Sequence, residues 1–151
     1  MRVVDLARQN SLIPAGSART LTKGDAFKTV LFDTVTGSTV TLPAATGTGD
    51  EYEVCTSVLA TSNSHKLQVA NATDVFRGVL ASVDTDTSDA VAFFAAATAS
   101  DTITFNRTTT GSVSIGERVR VKDVKAGFWA IIDGWYGATG APATPFSAAV
   151  S

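Results

Sequence analysis

Short runs of β-branched and aromatic residues, each closed by Gly, Asp, Asn or Ser, recur about every ten residues along this chain. That rhythm constrains the fold more than any other feature, because it leaves no room for helices of ordinary length. The runs fall at residues 29–32, 38–42, 52–57, 66–69, 76–83, 91–96, 102–106, 118–124 and 128–133. Residue choice points the same way. The chain has 22 threonines, which favour strands, and three glutamates (Glu51, Glu53 and Glu117), which favour helices. Several runs alternate with the strand period: Val119 and Val121 face one way while Arg118, Arg120 and Lys122 face the other, and Ile103 and Phe105 share a face. Lys125-Ala126-Gly127 is a turn between the last two strands, with Gly127 free to take positive φ. The alanine-rich piece 91–99 suits a helix by propensity but is short for one, and it reads as a buried strand. The expected fold is all-β: one β-sandwich or β-barrel-like domain over residues 19–136, with extended arms at 1–18 and 137–151.

Composition narrows the functional classes. A chain of 151 residues suits one domain and buries enough surface to fold without a disulfide or a metal. Charged residues make up 17%, against a typical quarter, which suits a surface partly covered by neighbours or one kept soluble by small polar residues. The net charge of −2 provides no basic field for a phosphate backbone, so no nucleic-acid partner is expected. The densest basic group, Arg118, Arg120, Lys122 and Lys125, reads as a solvated strand face. Cys55 is the single cysteine and cannot form an intrachain disulfide. No apolar stretch reaches membrane-spanning length, and the first residues lack the apolar run of a secretion signal, so synthesis in a cytoplasm is expected.

The residues that carry chemistry are sparse. His65, the single histidine, has serines nearby but no Gly-x-Ser-x-Gly elbow, and reads as a turn histidine bonded locally. One His and one Cys do not make a zinc site. The stretch 84–89 has oxygens at alternate positions like the opening of a calcium loop, but Asp89 stands where the glycine belongs and Ala95 where the closing Glu belongs. It reads as a polar hairpin loop. Thr46-Gly47-Thr48-Gly49 lacks the Gly-Lys-Ser/Thr of a phosphate loop and reads as a turn. Asp50, Glu51 and Glu53 have the composition of a carboxylate pair for glycoside hydrolysis but read as flanking an exposed strand start. No catalytic, cofactor-binding or metal-ligating residue is therefore assigned, and the chain is not expected to be an enzyme.

Interface residues are the remaining candidates. Phe128, Trp129, Trp135 and Tyr136 cluster near the C-terminus and read as core and interface rather than a platform for sugars or bases. In the C-terminal segment, Pro142 and Pro145 forbid helix; the two ends read either as frayed tails or as arms lying on a neighbouring subunit, the reading the resemblance below favours, in which Phe146 and Val150 fill pockets there. The interface set is Trp129, Trp135, Tyr136, Pro145, Phe146 and Val150. Deleting residues 141–151 is then expected to leave the β-core folded and to weaken assembly.

Two stretches carry a resemblance. Thr39-Val40-Thr41-Leu42-Pro43-Ala44-Ala45-Thr46-Gly47-Thr48-Gly49, followed by Tyr52, resembles a segment common in structural proteins of tailed bacteriophages: a strand ending at Leu-Pro, a Gly-rich turn, and an aromatic opening the next strand. The stretch 61–72 and the ending 143–151 are similar to those of small phage virion proteins. The likeness extends over most of residues 20–151 and leaves 1–19 uncovered. It implies a capsid decoration (cement) protein on the outer surface of the head, binding the major capsid protein as a homotrimer, with no cofactor, nucleic acid or membrane. The alternative is a tail, fibre or baseplate component that binds a host-surface glycan, with the aromatic cluster and polar loops as its binding surface.

Overall fold

The computed structural model describes residues 11–86 and 90–151. The strands are β1 (Leu12–Pro14), β2 (Ala18–Thr20), β3 (Thr29–Phe32), β4 (Thr39–Thr41), β5 (Glu51–Thr56), β6 (His65–Gln68), β7 (Val75–Arg77), β8 (Val79–Asp84), β9 (Val91–Ala95), β10 (Thr102–Phe105), β11 (Arg118–Lys125), β12 (Phe128–Ala138) and β13 (Phe146–Ser147). One 3-10 turn, Lys23–Asp25, interrupts them; Asp25 closes it by accepting the Thr22 N–H at 2.9 Å. The fold is all-β, two mixed sheets packed face to face as a β-sandwich.

The larger sheet runs β1-β3-β5-β11-β12-β8-β9, with β7 also on β12; the smaller runs β13-β10-β6-β4-β2. From β1 to β6 the chain alternates between the sheets, and each strand pairs in parallel with the strand two before it. Leu12 lies beside Thr29 and Thr29 beside Glu53 in the larger sheet; Ala18 lies beside Thr39 and Thr39 beside Lys66 in the smaller. The stretch from β1 to β6 is thus a two-faced coil, in which each crossover between parallel neighbours is a strand of the opposite sheet. After β6 the pairing becomes mixed. β10 lies antiparallel to β6, β8 and β9 form a hairpin, and the β11–β12 hairpin closes the gap between β5 and β8.

The core sits between the sheets and follows the strand period. In β5 the buried residues are Tyr52, Val54 and Thr56; in β11 they are Val119, Val121 and Asp123. Tyr52 meets Trp129 edge-on at 5.5 Å, and Phe32 meets Phe105 the same way at 5.5 Å. All nine sequence-derived strands are present. The run 76–83 is split at Gly78, whose φ is 125° and where a Cβ would lie 2.9 Å from the Ile131 carbonyl oxygen. The piece 91–96 is a strand, but not a buried one. It is the edge of the larger sheet, with Val91, Phe93 and Ala95 exposed.

The ends of the chain are extended and lie on this domain itself. β1 and β2 add edge strands to β3 and β4. β13 pairs antiparallel with β10, placing Phe146 beside Ile103. The Tyr136 hydroxyl donates to the Ala143 carbonyl at 2.6 Å, and the Thr104 N–H donates to the Pro145 carbonyl at 2.9 Å. Asp101 accepts the Ala149 and Val150 N–H groups at 2.7 and 3.2 Å.

Candidate interaction surface

Buried acids fix the loops that carry the two sheets. Glu117, fully buried at the start of β11, accepts backbone N–H groups from Ser112, Val113 and Ser114, and from Gly137 at 3.1 Å on β12. Burial pushes its pKa up, and the four N–H donors pull the other way. Asp123 does similar work at the far end of β11. Its carboxylate accepts the N–H groups of Thr46, Gly47 and Thr48 at 3.0, 2.6 and 3.2 Å. Desolvation raises the Asp123 pKa, but these bonds outweigh it and hold the carboxyl below its ordinary value. The Gly-rich turn therefore forms a concave nest of backbone donors, already filled by this chain's own carboxylate.

His65 is not in a turn. It is fully buried in β6, stacked on Phe32 with ring centroids 4.8 Å apart. Its Nδ1 accepts the Ser38 N–H at 3.0 Å, so the neutral ring carries its proton on Nε2, which donates to the Val58 carbonyl at 2.8 Å. Burial lowers its pKa below the ordinary 6.5. The unfolded chain therefore takes up the proton first. The stability His65 contributes is full above pH 6.5 and is lost as pH falls from there toward the lower folded value. Urea unfolding across this window is expected to show a slope of up to about 1.4 kcal/mol per pH unit that His65→Gln lacks. Comparison of the two proteins isolates the effect, because the raised pKa of Glu117 contributes a slope of opposite sign in both.

The candidate interface residues separate into three groups. Trp129 and Tyr136 are enclosed in the core, at 1% and 0% exposure, and are not placed to meet another chain. Pro145 is buried, and Phe146 and Val150 pack against the same core, so the pockets these arm residues fill belong to this domain. Trp135 is half-buried on the outer face of the larger sheet. There the registers place Phe93, Ala81, Trp135, Arg118 and Cys55 in one row across β9, β8, β12, β11 and β5.

That outer face has two characters. Over β5, β11 and β12 it is charged: Lys122 pairs with Glu51 at 3.1 Å, and Arg118 and Arg120 share Asp133 at 3.0 and 3.1 Å. These half-exposed pairs are worth little in stability. Here the basic strand face and Glu51 hold each other. A shallow groove of about 230 Å³ opens beside them, lined by Phe27, Lys28, Thr29, Glu51, Tyr52, Glu53 and Arg120. Over β8 and β9 the face is apolar, with Val79, Val91 and Phe93 at 49%, 59% and 71% exposure. The stretch 91–96 is not the buried strand its composition suggests; the alternation Val91-Ala92-Phe93-Phe94-Ala95 does not say which side of the strand meets solvent when both faces are apolar.

Two further sequence features are local structure. Asn71 and Asn106 are turn-formers whose Oδ1 atoms accept N–H groups of the residues that follow. The stretch 84–89 lies partly outside the described residues; within them Asp84 accepts the Asp86 N–H at 3.1 Å. Among the described residues, no three His, Cys, Asp or Glu side chains converge as a metal site, and no helix is long and apolar enough to cross a membrane. Comparison with protein-family models and with curated proteins gives no match.

Proposed function

We propose that this chain is a non-catalytic structural protein of a tailed-phage virion, a capsid decoration protein that binds the outer surface of the head as an oligomer. The resemblance of residues 39–52, 61–72 and 143–151 to phage virion proteins supplies the class. The observation that best supports an assembly role is the uncovered apolar edge at Val79, Val91 and Phe93 on a β-sandwich of low overall charge. Such a surface gains from coverage by a neighbour, and repeated modest contacts on a symmetric shell add up through avidity. The major capsid protein and further copies of this chain, a trimer by the resemblance, are its partners in this reading. The glycan-binding alternative drew on the aromatic cluster. With Trp129 and Tyr136 enclosed, that cluster offers no four-ring platform. Added to mature shells of its phage stripped of this protein, the purified chain is expected to cosediment with them and raise the temperature at which they rupture. Shells that neither bind it nor gain heat resistance would contradict the proposal.

A further inference from the structure

Apart from β7, a three-residue strand paired only with β12 and carrying Arg77, four strands end the two sheets among the described residues: β1 and β9 in the larger, β2 and β13 in the smaller. Three of them are blunted in ways that discourage edge pairing. β1 has three residues and carries Pro14, which has no N–H. β2 has three residues and carries Arg19. β13 has two residues. β9 is different. It has five residues, Val-Ala-Phe-Phe-Ala, with no proline, charge or glycine, and Phe93 is 71% exposed.

The backbone of β9 is set for a particular partner. Asp84 donates its N–H to the Ala90 carbonyl and Ala96 donates to the Gly78 carbonyl. In the register that joins Ala81 to Phe93, these bonds make 90, 92, 94 and 96 the residues whose backbone groups turn toward β8. The N–H and C=O groups of Val91, Phe93 and Ala95 therefore point to the free edge. Side chains complete the pattern. An antiparallel strand of the same sequence, centred on Phe93, sets Phe93 against Phe93, Val91 against Ala95 and Ala92 against Phe94. Each edge-pointing residue then meets an edge-pointing residue, and large side chains flanking the centre meet small ones.

Charge selects the same orientation. The hairpin end of β9 adjoins Asp84 and Asp86, whereas its other end adjoins Arg77, which reaches the Ala97 carbonyl at 3.3 Å. Antiparallel pairing brings the acidic end of each copy toward the basic end of the other; parallel pairing would bring like to like.

We propose that β9 is a self-association edge, and that two copies of this chain join through an antiparallel β9–β9 pair with its two-fold axis at Phe93. The joined sheets form one continuous sheet, and the contact is isologous and closes at two copies, so it is a separate contact from the three-fold one that the phage resemblance implies. This inference shares its surface with the virion reading but stands without it. Pairing in solution with no affinity for shells would remove that reading and leave this one.

Sedimentation velocity of the full chain over a range of concentrations tests it. The wild type is expected to show a concentration-dependent association that includes a dimer step. Phe93→Lys, which sets two ammonium groups across the axis, is expected to weaken that step at least about thirtyfold, with far-UV circular dichroism unchanged and melting equal to the wild type at concentrations where both are monomeric, because the side chain is exposed in the single chain. A second variant reads the geometry directly. In a Cys55→Ser background, Phe93→Cys is expected to be joined into covalent dimers by a short bis-maleimide. A wild type that stays monomeric, an oligomer unaffected by Phe93→Lys, or a Phe93→Cys protein that does not crosslink as a dimer would each overturn the proposal.

Discussion

Glu117→Ala is expected to cost about 3–5 kcal/mol of unfolding free energy, a large share of the roughly 5–15 kcal/mol that holds a domain together. The carboxylate accepts four backbone N–H groups in a place fully closed to solvent. Removing it leaves those donors without an acceptor. It also opens a void where the 111–116 turn, β11 and β12 meet. Glu117→Gln separates the two effects. Three of the donors, Val113, Ser114 and Gly137, use one carboxylate oxygen, which the amide oxygen of Gln can replace. The fourth, Ser112, would then face an NH₂ group. Gln is therefore expected to cost less than Ala, about 1–2 kcal/mol for one unsatisfied donor. Urea titration reads both values from the midpoint at unchanged m. An alanine variant within about 0.5 kcal/mol of the wild type, the range of ordinary surface substitutions, would show that the clamp is not structural.

Deleting residues 141–151 is expected to destabilise the domain by roughly 3–6 kcal/mol and lower its melting temperature by about 10 °C or more. This reverses the expectation drawn from the sequence. Phe146 and Val150 pack against the core, so their loss exposes apolar surface on β10 and its neighbours. The fully buried Tyr136 hydroxyl loses its acceptor at Ala143, and Asp101 loses two donors. Burial pushes the Tyr136 pKa up to about 12, so the ring remains a neutral phenol that needs a partner. Phe146→Ala alone is expected to account for about half of the change. Calorimetry on the truncated chain checks this, and an unshifted melting temperature would return these residues to the role of a free arm.

Strand positions were legible in the sequence because burial is periodic: Val119 and Val121 inward, Arg118 and Arg120 outward, with Gly127 at φ 89° turning the chain between β11 and β12. The pairing was not. A spacing of about ten residues suits hairpins as well as it suits strands that alternate between two sheets, and only the folded chain distinguishes Thr29 beside Glu53 from Thr29 beside Thr39. The acid clamps were hidden for the same reason. Asp123 meets a glycine turn 76 residues away, and no local pattern links the two. His65 lay among Ser and Asn, whose turn-forming tendency marked the loop before it, while its burial depends on Ser38 and Val58. In the C-terminal segment the prolines correctly indicated extended chain. Which surface that chain lies on is set by the free edge of β10, a tertiary property.

The candidate interaction surface was legible least of all. All six expected interface residues lie in the aromatic cluster or the C-terminal segment, and five of them, all but Trp135, are packed into this chain's own domain. Exposed apolar surface lies instead on β9, among other places, where uninterrupted small and apolar residues suggest burial. In the proposed β9–β9 pair, β9 is covered by another strand, which would account for its having the composition of a buried one.

A cryo-EM map of the phage particle proposed to carry this protein tests the assembly role most directly. The account predicts density for this two-sheet domain on the outer surface of the head, contacting the major capsid protein and repeating with the symmetry of the shell. Density confined to the tail or its host-binding apparatus, or a particle without this domain, would contradict it.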